Sequence, residues 1–198
     1  INDNVPAAPA GVVAAVFSSG NDVQKLSIGR IAFQDGWNND PTQNDRVIVH
    51  EMVHAVMANQ LSTLVGSDAN AAWLREGSAE LIHGADDRLA ADLGATAPST
   101  FMSTFNLSTV ADSEDYSQAY VAARMLHDDM KEAGYSDGIA SFMDYLKVQG
   151  RTVDDALQHF FDMSEADFQT YVRDNGGAYI ESMDLSNADV GGIGGADA

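Results

Sequence analysis

The chain has 198 residues and a formal net charge of -20 at pH 7. Ten Lys and Arg against thirty acids exclude the basic footprint that nucleic acid or an anionic membrane surface requires. There is no cysteine, which removes disulfide scaffolds and thiolate metal sites, so any metal must be held by imidazole and carboxylate.

Residues 1–10, with Pro6, Pro9 and several alanines, read as a linker. Val12–Phe17 is a short apolar run and Val23–Phe33 follows it, with Ser18–Asp22 between them as a Gly-containing turn, so a β-hairpin is expected. Asp35 to Asn44 is loop-like. Asp45 is placed to cap a helix running to about Asn59, apolar almost all round and therefore expected to be buried. Asp68 or Asn70 can cap a second helix, Ala71 to His83, stopped by Gly84. Asp86 to Asp92 suits a short third helix, and a Pro/Ser/Thr-rich loop follows near residue 98.

Helical periodicity then dominates: Ser113–Ala133 before Gly134, Ser136–Gln149 before Gly150, Val153–Phe161, and Ser164–Asn175 before Gly176. Residues 181–198 are Gly/Ala/Asp-rich and read as a flexible tail. Strands first and helices after them predict an α+β fold, a small N-terminal strand region packed on a mostly helical core spanning 11–180. No apolar stretch is long enough to span a bilayer, and the opening I-N-D-N has no basic stretch of signal-peptide type.

The chemistry concentrates in R-V-I-V-H-E-M-V-H. On a helix, His50 and His54 point the same way, because four residues turn through about 400°. Both imidazoles can then meet one metal. Glu51 lies about 100° further round, beside the metal, where a general base for water belongs. A third ligand is offered by W-L-R-E-G-S-A-E, Trp73 to Glu80. Glu76 follows His54 after 21 intervening residues, and Gly77 leaves room for a close helix neighbour. Glu80, one turn past Glu76, can accept the hydrogen bond from the other ring nitrogen of a ligand histidine; a salt bridge to Arg75 or Arg88 is the plainer reading. His83 suits a helix C-terminal cation, His127 and His159 suit packing or surface positions, and Trp73 and Leu74 suit a core.

The pairing of H-E-x-x-H with W-L-x-E-G-x-A-E resembles the gluzincin metallopeptidases. The W-L-x-E-G element is similar to the third-ligand helix of gluzincin aminopeptidases, and E-G-x-A-E to bacterial collagenases. The following E-L-I-H-G-A-D-D-R, Glu80 to Arg88, resembles the flagellinolysins, flagellins that carry a collagenase-like peptidase domain in their variable region, as does the tail V-G-G-I-G-G-A-D-A. The resemblance implies one catalytic zinc per chain on His50, His54 and Glu76, with Glu51 as catalytic base and peptide bonds of proteins, flagellin among them, as substrate. It also implies an extracellular place on the flagellar filament, with filament subunits as neighbours and neither nucleic acid nor membrane as partner. Gluzincins often set an oxyanion-donating tyrosine at the start of a later helix, which here is Tyr116 or, one turn on, Tyr120. Collagenase relatives also use calcium, for which Asp86 and Asp87 are candidates beside their plainer role as loop caps. Two alternatives remain open at this point: a small secreted gluzincin unrelated to flagella, and a non-catalytic surface or adhesion module that holds a metal.

Overall fold

The computed structural model describes residues 14–19, 22–28, 41–61 and 71–185, with side-chain surroundings given for 47–58, 61 and 71–185. The chain divides into two compact units, Ile1–Ser62 and Thr63–Ala198.

In the first unit, β1 (Ala14–Ser19) and β2 (Asp22–Ile28) pair antiparallel from Ala14↔Ile28 to Ser19↔Asp22, with the register shifting between Phe17 and Ser18. The hairpin is the expected one with a tighter turn: Ser18, Ser19 and Asp22 join the ladder instead of the loop. Residues 29–33, expected to continue the second strand, lie outside the described residues, as does the linker 1–10. Helix α1 (Pro41–Gln60) lies against both strands. It starts before Asp45, which is inside the helix and does not cap it. Pro41 explains the earlier start, since its fixed φ and missing N–H suit a first helical position. Val53, Met57 and Ala58 are buried, but Met52 and Val56 are exposed. The helix is thus amphipathic in environment although its sequence is apolar nearly all round.

The second unit is built from helices: α2 (Ala72–His83), α3 (Asp86–Leu93), α4 (Pro98–Met102), α5 (Ser113–Glu132), α6 (Ile139–Leu146), α7 (Val153–Phe161) and α8 (Glu165–Ser182). Its core holds Trp73, Leu74, Phe105, Tyr120, Leu126, Phe142 and Phe168, each at most 1% exposed. Trp73 meets Phe168 at 4.8 Å and Phe105 edge-on at 6.4 Å. The candidate caps Asp68 and Asn70 of α2 lie outside the described residues. Polar caps set the later helices: Asp112 accepts from the Asp115 amide, and Thr152–Asp155 and Ser164–Asp167 form reciprocal capping boxes.

The α2–α5 crossing positions the rest. A Cβ at Gly77 would lie 2.1 Å from the Ala119 carbonyl oxygen, so only glycine lets the two backbones approach this closely.

The α+β expectation is overturned. Over the residues whose side-chain surroundings are described, 73% are helical and none is in a strand. Among the described residues the hairpin is a single two-stranded ribbon, too little to form a layer of its own, and the second unit's core is supplied mainly by helix faces, with Phe105 and Leu107 added from the loop after α4.

Three smaller corrections have clear physical causes. The stretch near residue 98, expected as loop, forms α4 with Pro98 in its first turn, because Phe101 and Met102 bury there. Helix α6 begins at Ile139 instead of Ser136, after Gly138 in a positive-φ conformation. Helix α8 passes Gly176 and runs into the expected tail, to Ser182. A Cβ at Gly177 would meet the Ser99 backbone at 2.6 Å, and one at Gly176 the Met102 side chain at 3.0 Å. These glycines serve close packing against α4 and do not end the helix.

Candidate functional site

In the first unit, α1 carries His50, Glu51 and His54, all half-buried. The two Nε2 atoms stand 2.9 Å apart, and the rings meet edge to face with centroids at 4.6 Å. One turn of helix has aimed both imidazoles at a common point. Without a metal, one ring donates and the other accepts, which needs only neutral imidazoles in complementary tautomers. Tetrahedral zinc at its usual Zn–N distance sets two nitrogens about 3.3 Å apart, so the pair opens by only a few tenths of an ångström to share one ion. The donor set fits zinc on chemistry and on spacing.

In the second unit, α2 presents Glu76 and Glu80 one turn apart, both buried. Glu76 Oε1 accepts from Arg75 Nε at 2.9 Å. Glu80 Oε1 accepts from Arg88 Nη1 at 3.2 Å, and Oε2 faces His83 Nε2 at 3.3 Å. The His83 Nδ1–H donates to the Gly84 carbonyl at 2.6 Å, fastening the imidazole at the end of α2. The plainer reading of Glu80, a bridge to Arg88, is therefore realised. Each unit, taken by itself, carries side chains of the types that hold zinc: His50 and His54 in the first, and Glu76, Glu80 and His83 in the second.

The two tyrosine candidates differ sharply. Tyr116, in the first turn of α5, is half-buried, with the Arg88 guanidinium 5.3 Å from its ring centroid. Tyr120 is fully buried. Its hydroxyl donates to Asp86 Oδ1 at 2.7 Å and accepts from Arg124 Nη1 at 2.9 Å, while Arg124 also reaches Asp86 at 3.2 Å. Burial pushes the Tyr120 phenol far above the ordinary tyrosine range. A substrate oxygen has no approach to a hydroxyl so enclosed.

Asp86, considered for calcium, is the buried carboxylate of this triad, and Asp87 Oδ1 accepts from the Arg88 amide at 2.7 Å in the first turn of α3. Sequence reasoning missed the triad and the contact of Arg88 with the Tyr116 ring, though not its bridge to Glu80. Part of the signal was available, since Y-S-Q-A-Y-V-A-A-R puts Tyr116, Tyr120 and Arg124 on one helical face. His127 is buried in packing, whereas His159 is exposed and stacks on Tyr145 at 4.5 Å.

No family model, curated protein or solved structure matches the chain. Among the described residues, no helix is long and apolar enough to cross a membrane.

Proposed function

We propose that the chain is a zinc-dependent endopeptidase domain of gluzincin type, carried outside the cell in the variable region of a flagellin and cleaving proteins, flagellin among them. The observation that supports it best is the convergence of the His50 and His54 Nε2 atoms at 2.9 Å with Glu51 at the next position on the same helix. In this reading His50 and His54 are two ligands, and the W-L-R-E-G spacing makes Glu76 the third. Zinc, when bound, supplies the Lewis acidity that polarises the scissile carbonyl and makes water nucleophilic near neutral pH.

The chain's own residues do the rest. Glu51 takes the proton from the attacking water and delivers it to the leaving amine. The developing oxyanion needs a donor that is not enclosed in the core, which favours the half-buried Tyr116 over Tyr120. The exposed Met52 and Val56 leave part of α1 uncovered, as a helix bordering a substrate-accessible surface needs.

Peptide-library profiling of the parent beside Glu51→Ala tests the reading. The parent should cleave and stop on chelation. Glu51→Ala should keep one zinc per chain and lose at least about a hundredfold in kcat, the lower range for a missing general base. A Glu51→Ala chain that cleaves as fast as the parent ends this mechanism. A chain that binds zinc and cleaves nothing would be the non-catalytic metal module instead.

A further inference from the structure

We propose that Arg88 is a positioning residue that sets the Tyr116 ring for catalysis. The inference rests on the peptidase reading and on Tyr116 as its oxyanion donor.

The side chain of Arg88 spans three helices. It leaves α3, its Nη1 donates to Glu80 Oε1 on α2 at 3.2 Å, and its guanidinium lies 5.3 Å from the Tyr116 ring centroid on α5. Glu80 is 1% exposed, so its carboxylate is a fixed anchor in a low-dielectric setting, while the Arg88 side chain is 35% exposed. A cation over an aromatic face is held by the ring quadrupole, and a planar guanidinium can serve both contacts at once. The start of α3 is itself pinned: Asp86, two residues before Arg88, is locked by Tyr120 and Arg124. The core triad thus fixes where Arg88 starts, and Glu80 fixes where it points. Tyr116 needs such a brace. It sits in the first turn of α5, beside the exposed residues 111–114, where core packing holds a ring least.

Arg88 acts through Tyr116 and touches no reacting atom in this account, so its effect must vanish when the phenol is gone. The test measures kcat, KM and zinc content for the parent, Arg88→Ala, Tyr116→Phe and the double variant, with Arg88→Lys as a charge-keeping substitute if Arg88→Ala does not fold. NMR of labelled tyrosine follows the Tyr116 ring in each. Arg88→Ala should lower kcat about tenfold with KM and zinc unchanged and move the Tyr116 ring resonance. In the Tyr116→Phe background it should cost nothing further, the non-additivity expected of residues acting as one unit. Arg88→Lys should recover part of the loss. An active parent with additive losses, or with a change in KM alone, overturns the positioning role and leaves the peptidase reading standing. An unmoved Tyr116 resonance in Arg88→Ala does the same. A parent that cleaves no peptide overturns both.

Discussion

The chain presents two pairs of functional-looking residues at the same i, i+4 spacing, and the structure treats them in opposite ways. His50 and His54 share an environment: both are half-buried, and their Nε2 atoms meet at 2.9 Å. Tyr116 and Tyr120 do not. One is half-buried under the Arg88 guanidinium, and the other is enclosed with its hydroxyl spent on Asp86 and Arg124. Helical periodicity puts two residues on one face, but it does not say how deep that face lies along its length. α5 enters the core within its first turns, so one turn of helix separates a half-buried tyrosine from an enclosed one.

The strongest test of this contrast is on the histidine side. If His50 and His54 act as one donor pair, neither has a partial role. His54→Ala should lose bound zinc and with it about three orders of magnitude in kcat, the several kcal/mol that a Lewis acid contributes. Metal analysis beside the turnover assay checks both halves. A His54→Ala chain that holds its zinc and cleaves normally would show that the convergence at 2.9 Å is a packing contact.

The tyrosine pair should split where the histidine pair does not. Tyr116→Phe should slow kcat about a hundredfold, the loss of one oxyanion donor, with little change in unfolding free energy. Tyr120→Phe should do the reverse. It removes a donor from the buried Asp86 and an acceptor from Arg124, costing about 1–3 kcal/mol of stability, with a much smaller fall in kcat per folded molecule than Tyr116→Phe, because the triad reaches Tyr116 only through Arg88. Urea melts and turnover on the same samples separate the two outcomes. Equal effects at both positions would erase the distinction drawn from burial.

The same contrast explains what was legible in the sequence. The H-E-M-V-H spacing specifies a local event, two side chains one turn apart, and the structure reproduces it. The stop at Gly134 was legible for a similar reason, since it adopts the positive φ that glycine alone takes easily, 96°, whereas Gly150, also at positive φ, follows a helix that has already ended at Leu146 instead of Gln149. Gly176 carries the same letter in a similar setting and ends nothing, because its role is set by Met102, more than seventy residues earlier. The depth of Tyr120 likewise depends on Asp86 on another helix. The misses at Gly176 and Tyr120 turn on contacts between distant segments, which neither periodicity nor capping patterns encode, whereas the early start of α1 at Pro41 is a local signal.

The smallest effect expected concerns a histidine that neither pair includes. His127 is buried on α5, with its ring against Gly138, where a Cβ would stand 2.5 Å from the imidazole. The Ile139 amide donates to its Nδ1 at 3.3 Å, so that nitrogen must keep its lone pair. Burial holds the His127 pKa below its ordinary 6.5; Lys131 and Arg124 push the same way and Asp128 opposes them. The unfolded chain therefore takes up this proton before the folded one does. As pH falls below about 6.5 the unfolded state gains protons that the folded state refuses, and stability declines until the folded pKa is reached. His127→Asn keeps an acceptor for the Ile139 amide and removes the titration. Between pH 7.5 and 5.5 the parent should lose more stability in urea than this variant does, and zinc release from His50 and His54 on acidification should be common to both. Parallel curves for the two proteins would mean that the buried ring takes its proton as readily when folded as when unfolded, and that the Ile139 bond does not hold it neutral.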